Sequence, residues 1–486
     1  DGVFGDAHGR ARGVLRGIDT YARAGMRLRR TVSPWTGYDW RGLANNLDFV
    51  VAPAVPYMLD KMRDYGGDNA DSGLWFDGRL FADYPTTAGL LAWNALFCGA
   101  SDLWCIDAIG SVSQGGPYSM LAPNGEPYPG VNELSAAVDV IQSGFDHLFL
   151  ASEPEPAGIA LYDSRASFYV DALLQMDPGI EQVEEDTSEV LRRSGYAYRY
   201  VDSRDAQAGG LDGFRVVVLC SRRGLSSGDL ATLASFVERG GVVLDVSNGP
   251  WANEWGYVQD PPSWIRDEPI EGELRGVGVP VDIRNTSSLY GYLARAGIAP
   301  FVGFESETVG LTPFGFRYGG VRLLAFLPAL EMDNKNAIRV TVDGPGYAYT
   351  LGEGPARPKK LHAKRAGRVK LPILPGAPGV ISILPYAVDE VVLQTPSEVF
   401  RGTRLSFDIT IAAGEDPPSN HVVYVALIRT EDASTVADAQ VIVCREGRGT
   451  GYISIARNIE PGRCQLIARD ILSGRETRAA VRILPQ

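Results

Sequence analysis

One stretch of this sequence leaves the backbone little choice. FRVVVLC (214–220) is an unbroken apolar run; SSGDLATLASFVERGG (226–241) follows it, and GVVLDV comes next. Ser226 and Asp229 stand at capping-box spacing, apolar residues recur at helical intervals behind them, and Gly240 ends the run. Strand, helix and strand in that order imply a parallel β/α unit. Upstream, GIALYD reads as a strand, TSEVLRRSG as a helix capped by Thr187 or Ser188 and ended at Gly195, and YAYRYVD as another strand. The alternation predicts a flavodoxin-like α/β domain over 151–298.

The flanks differ. Over 1–150, GVLRGIDTYARAG is a helical pattern stopping at Gly25, MRLRRTVSP leads from a strand into a loop, and LDFVVAP, SGLWFD and SDLWCID read as short buried strands. TTAGLLAWNALFCGA, between the last two, is an apolar helix ending at Gly99. These β/α units are too few to close an eight-stranded barrel. From about 300 the pattern becomes alternating strands with Gly and Pro turns: one small β-sandwich over 299–388 and an immunoglobulin-like sandwich over 389–486. The fold class expected is α/β plus all-β. DPGIEQVEED and PKKLHAKRAGRVK, an acidic and a basic run, read as solvated loops or hairpins.

A chain of 486 residues is long enough for three or four domains, and its net charge of -13 disfavours a nucleic-acid surface, which needs a dense basic face. No apolar run reaches the roughly 18 residues needed to cross a bilayer, so no membrane partner is expected. The chain begins at Asp1 with neither Met nor a signal-peptide pattern and is read as a processed product or a fragment. A secreted or periplasmic setting is favoured over the cytoplasm. The five cysteines form no CxxC pair, and the four histidines have no partner at ligand spacing, so neither a metal nor a cofactor is expected. Cys444 and Cys464, in strands read as neighbours, are either a disulfide or a reduced buried pair. All eight tryptophans lie in the first 264 residues, so whatever uses indole rings sits there.

The run from QMDPGIEQVEED through LSSGDLATLASFVERGG resembles the trimerisation domain of glycoside hydrolase family 42 β-galactosidases, whose hallmark, a leucine-serine helix start and a helix ending in FVERGG before a strand, LSSGDLATLASFVERGG matches over its full length. The resemblance implies a glutamine-amidotransferase-like fold for 151–298, a preceding (β/α)8 barrel and a following β domain. On it, 1–150 becomes the C-terminal portion of the barrel. RLRRTVSPWTGYDWRGLANNLDFVVAP is similar to the sixth-strand region, SGLWFD to the seventh strand and SDLWCID to the eighth. The fourth strand, which carries the family's acid/base glutamate, would precede Asp1.

The chemistry implied is retaining hydrolysis of a β-linked glycan by two carboxyl groups about 5 to 5.5 Å apart. Asp77, ending the seventh strand, takes the nucleophile's place, although the family uses glutamate there and Asp is one methylene shorter. Trp35, Trp75 and Trp104 serve either sugar stacking or barrel packing. Arg79 and Asp107 are the polar candidates for substrate binding; a turn or cap role fits Asp107 equally, and Asp48 reads as structural. Cys220 lacks the Gly-x-Cys-x-Gly elbow of an amidotransferase nucleophile. The expected partners are a carbohydrate substrate and further copies of the chain, a trimer by resemblance. The alternative is a non-catalytic carbohydrate-binding or assembly protein on the same scaffold.

Overall fold

The computed structural model describes residues 2–27, 40–53, 55–66, 71–77, 85–106, 120–122, 124–176, 179–266, 272–305, 310–329, 338–351, 359–362, 366–372, 377–414 and 418–485, without the side chains of 2–6, 40, 75–77, 105 and 106. The chain divides into two compact units, Asp1–Gly78 with Cys98–Ser111 and Pro156–Phe301, and Arg79–Phe97 with Val112–Glu155 and Val302–Gln486.

The described residues of the first unit hold two larger parallel sheets and a two-stranded one, Arg223–Leu225 with Ala252–Asn253. In one, β1 (Gly25–Arg27), β2 (Phe49–Pro53), β3 (Asp71–Asp77) and β4 (Asp102–Ile106) lie side by side in chain order. Helices α1 (Gly2–Ile18), α2 (Trp40–Asn46) and α3 (Pro56–Gly66) belong to this part. The first helix stops at Ile18, earlier than the expected end at Gly25. Asp19 turns the chain by accepting the Tyr21 amide at 2.9 Å. Gly25 instead lies in β1, where a Cβ would come within 2.2 Å of the Phe49 ring. Its glycine answers a close approach, not a helix end.

The second sheet contains β5 (Ile159–Asp163), β6 (Tyr198–Asp202), β7 (Val216–Leu219), β8 (Val242–Asp245) and β9 (Val277–Pro280), all parallel, in the order β9-β8-β7-β5-β6. Its helices are α4 (Arg165–Leu173), α5 (Ile180–Arg193), α6 (Ser227–Glu238) and α7 (Thr286–Arg295). Both halves of the α6 capping box form, and Gly240 adopts φ 96° just past the helix end. Tyr162, Val217, Leu219, Leu233, Phe236 and Val243 make the core between α6 and the sheet. Helix α5 begins at Ile180, ahead of the expected Thr187 or Ser188, so residues 180–186 of the acidic run are helix and not solvated loop. Ile180, Val183, Glu184, Thr187, Ser188 and Leu191 are buried at helical spacing.

In the second unit the helices Pro85–Phe97, Pro129–Val140 and Asp146–Leu150 accompany the β structure. Phe97 and Phe149 meet at 4.9 Å between ring centroids, and Phe97 reaches Phe314 at 5.4 Å. The strands are β10 (Leu311–Tyr318), β11 (Val321–Pro328), β12 (Ile338–Val342), β13 (Gly346–Leu351), β14 (Lys359–Leu361), β15 (Gly367–Leu371) and β16 (Gly379–Leu384). One sheet runs β14-β13-β16-β11-β10 and ends on Glu153–Pro154, while a smaller one joins Gly303–Phe304, β12 and β15. The basic run therefore does not fold as a hairpin: β14 and β15 enter different sheets.

Further on come β17 (Glu390–Gln394), β18 (Glu398–Phe400), β19 (Arg404–Ala412), β20 (His421–Arg429), β21 (Gln440–Cys444), β22 (Arg448–Ser454), β23 (Gly462–Asp470) and β24 (Glu476–Leu484). They form the sheets β17-β19-β22 and β18-β24-β23-β20-β21. Cys444 and Cys464 are both free and buried. Each flanks β20, but Cys444 pairs with His421 and Cys464 with Arg429 at the other end. That is about 25 Å along a strand, far beyond disulfide reach.

Candidate functional site

Of the positions singled out in the sequence, Trp75, Asp77 and Trp104 lie on the adjacent strands β3 and β4 of the first sheet. Parallel registration sets Pro53 beside Trp75, Trp75 beside Trp104, and Asp77 beside Ile106. Asp77 is the last residue of β3, and the edge it stands on is where loops open in parallel β/α architectures. Trp104 is 46% exposed and stacks on Phe49 with ring centroids 5.4 Å apart. Gly73 makes room for it, since a Cβ there would lie 3.3 Å from the indole. The side chains of Trp75 and Asp77, and the whole of Trp35, Arg79 and Asp107, lie outside the described residues. The structure thus brings the backbones of Trp75, Asp77 and Trp104 together on two adjacent strands.

Asp48 is tied at the opposite end of β2. It accepts from Arg12 and Arg16 at 2.5 Å each and from the Ala24 amide at 2.9 Å, which joins α1 to the sheet. His8 lies in α1. Among the described residues no three His, Cys, Asp or Glu side chains gather as a metal site.

In the second sheet the order reverses between β5 and β7, and the crevice at such a switch point, at the C-terminal strand ends, is where open α/β sheets take ligands. Here α3 fills it. Tyr65 donates to Asp163 at the end of β5 at 2.6 Å; Lys61 lies 3.2 Å from the same carboxylate and donates to Glu184 of α5 at 2.7 Å. Burial pushes Lys61 down, but Asp163 and Glu184 outweigh it and hold the ammonium above the ordinary lysine range. Burial pushes Glu184 up to about 8 against the pull of Lys61, with Asp163 adding to the rise. Both directions follow from one ammonium facing two carboxylates away from water: they favour its charge, while burial disfavours that of Glu184.

A second group adjoins it on α3. Asp60 accepts from Tyr198 at 2.5 Å and from Arg192, and Arg63 binds Asp60 at 3.2 Å and Asp64 at 3.0 Å. Sequence reasoning missed both groups. Their one local signal was Asp60-Lys61 inside the apolar pattern PYMLDKM, with partners more than a hundred residues away. Cys220, just past β7, is buried, and burial drives its thiol well above the ordinary range, which removes the thiolate a nucleophile needs.

No family model matches this sequence, and no curated protein matches it. Solved structures do. Gan42B, a GH42 β-galactosidase from G. stearothermophilus, is 10% identical with a TM-score of 0.53, covering 76% of this chain and 64% of its own. A catalytic mutant of the same enzyme gives a TM-score of 0.52 at 10% identity, over 76% of this chain and 65% of that one. An exo-carrageenase GH42 from Bacteroides ovatus is 12% identical with a TM-score of 0.48, over 76% and 53% of the two chains. This chain thus spans between 53% and 65% of the length of these structures. Over three quarters of its length it has a GH42-like fold, a glycoside hydrolase-like scaffold of mixed α/β and β-sheet parts.

Proposed function

We propose that this chain is the C-terminal portion of a retaining glycoside hydrolase of the β-galactosidase type, acting on β-linked glycans. The observation that carries the reading is Asp77 at the C-terminal end of the third of four parallel strands set in chain order, within a GH42-like fold. Four such strands are half of a (β/α)8 barrel, and β2, β3 and β4 then stand as its sixth to eighth strands. Residues 1–150 would be the barrel portion and 151–298 a flavodoxin-like trimerisation domain. A small β-sandwich over 299–388 and an immunoglobulin-like one over 389–486 would follow.

In the mechanism the Asp77 carboxylate attacks the anomeric carbon as the leaving oxygen takes a proton from a glutamic acid on a barrel strand outside this chain. Water then releases the glycosyl-enzyme ester, with that glutamate acting as base. Trp35, Trp75 and Trp104 offer ring faces to the sugar, and Arg79 and Asp107 bind its hydroxyls. The assembled enzyme would be a homotrimer, which light scattering tests directly.

The deciding experiment is hydrolysis of p-nitrophenyl β-galactoside by a polypeptide that includes the upstream barrel strands. Asp77→Asn is expected to lower kcat by on the order of 10⁴-fold. Unchanged turnover in Asp77→Asn would remove Asp77 from the mechanism. A second reading is favoured by one observation, an aspartate where the family has glutamate: a reach shorter by one methylene, where a misplacement of about 1 Å costs roughly a hundredfold. The protein would then bind glycans without cleaving them. Glycan binding with no turnover of any aryl β-glycoside would select that reading.

A further inference from the structure

The second unit contains a cavity of about 840 Å³ to which the hydrolase reading gives no role. Its walls come from the helical segment after Pro129, from β13 and β16, and from β20, β23 and β24. Phe145 and Ile471 contribute apolar surface, while Tyr424, Arg469, Glu476 and Arg478 bring polar groups to the lining.

Where the helix Pro129–Val140 reaches the cavity the chain kinks within Ile141–Phe145, with Gly144 non-helical at φ 120°. A Cβ on Gly144 would lie 3.0 Å from Ile471 and 3.1 Å from Val422, so the turn presses directly on the strands behind it.

Charge narrows the ligand. The Arg469 guanidinium lies 5.5 Å from the Tyr424 ring centroid, and Arg478 is bound to Glu476 at 2.8 Å. Two further carboxylates complete the set: Asp139 is exposed, and Asp470 is held by His421 at 2.9 Å. Two guanidiniums against three carboxylates leave no positive excess for an anion, and a purely apolar ligand would strand the charges. Interleaved donors and acceptors above apolar and aromatic surface suit a molecule with many hydroxyls and apolar C–H faces. The volume lies within the usual range for ligand pockets and takes about two or three sugar rings.

We propose that this cavity is a carbohydrate-binding site for a neutral oligosaccharide. Arg469 and Arg478 donate to its hydroxyls, Asp139 and Glu476 accept from them, and Tyr424 packs against a ring. The inference needs binding and no turnover, so it does not rest on the hydrolase reading.

Isothermal titration of the full chain with β-1,4-galactotriose, cellotriose and xylotriose tests it. At least one is expected to bind saturably, with affinity falling tenfold or more in Arg469→Ala and in Arg478→Ala. Neither side chain is fully buried, so both variants are expected to fold, and the melting curve checks this. Absence of binding by all three sugars would overturn the proposal. So would binding unchanged in the double arginine variant, or a preference for an aromatic sulfonate over every neutral sugar.

Discussion

Lys61 is the cation on which two carboxylates of the first unit, Asp163 and Glu184, depend. It carries the one ammonium between Asp163 and Glu184, and Tyr65 shares the Asp163 carboxylate. Lys61→Met leaves those two carboxylates buried without their counter-charge, and a loss of about 3–5 kcal/mol in urea unfolding is expected. Glu184→Gln keeps the hydrogen bond and removes the titration. The folded state raises this carboxyl from 4.5 to about 8, so the folded protein holds a proton that the unfolded chain releases. The stabilisation is full below about 4.5 and is lost as pH rises through about 8. Glu181 adds the same sign: burial, with Asp163 and Glu185, lifts it to about 7 against Lys61. Unfolding curves from pH 5 to 9 should therefore show wild-type stability declining, and Glu184→Gln declining less. Equal slopes would mean that Glu184 is ionised throughout.

At the scale of elements, the segment RGLSSGDL shows what a sequence motif can and cannot announce. Ser226 and Asp229 close the capping box of α6 as spacing alone predicts, and Ser226→Ala should cost about 1 kcal/mol. Gly224, two residues earlier, matters more for a reason no local rule contains. At φ 79° it passes against the start of α4, where a Cβ would come within 2.5 Å of the Ser167 amide nitrogen. It also delivers Arg223 to Asp171, bonded at 2.5 and 3.1 Å. Gly224→Ala should lose about 2–4 kcal/mol, more than Ser226→Ala, because the clash is with backbone that cannot rotate aside. Thermal unfolding of the two variants side by side decides the order. Strands and helices with a strong period, such as LDFVVAP and the α6 stretch, were legible for this reason: their signals are local. The start of α5 was not. Its acidic residues look solvated until Ile180, Val183 and Glu184 are seen on one buried face, and Glu184 finds its cation 123 positions away. The Asp77 edge was legible as a strand end, while the cavity beside β20 and β23 arises from segments that no motif links.

For the whole molecule, the two units are held by different physics, and the difference is measurable. The first unit has charged groups at its centre: α3 is joined to α5 and β6 through Lys61, Asp60, Arg192 and Tyr198. The second is held by edge-on and tilted aromatic rings around Phe97 and by antiparallel ladders such as β11 with β16, in which Leu323, Leu324, Ala325 and Ile381 are buried. Raising the pH from 6.5 to 9 ionises Glu181 and Glu184 in the first unit, adding negative charge around a single ammonium. Nothing comparable acts on the β11 and β16 ladder. Hydrogen exchange read by mass spectrometry, corrected for the intrinsic rise of exchange with pH, should show peptides of α3 and α5 losing protection about tenfold or more. Peptides of β11 and β16 should keep theirs, and in Glu184→Gln the α3 and α5 loss should shrink. Uniform loss across both units would show that pH acts on the fold as a whole rather than through the carboxylates around Lys61.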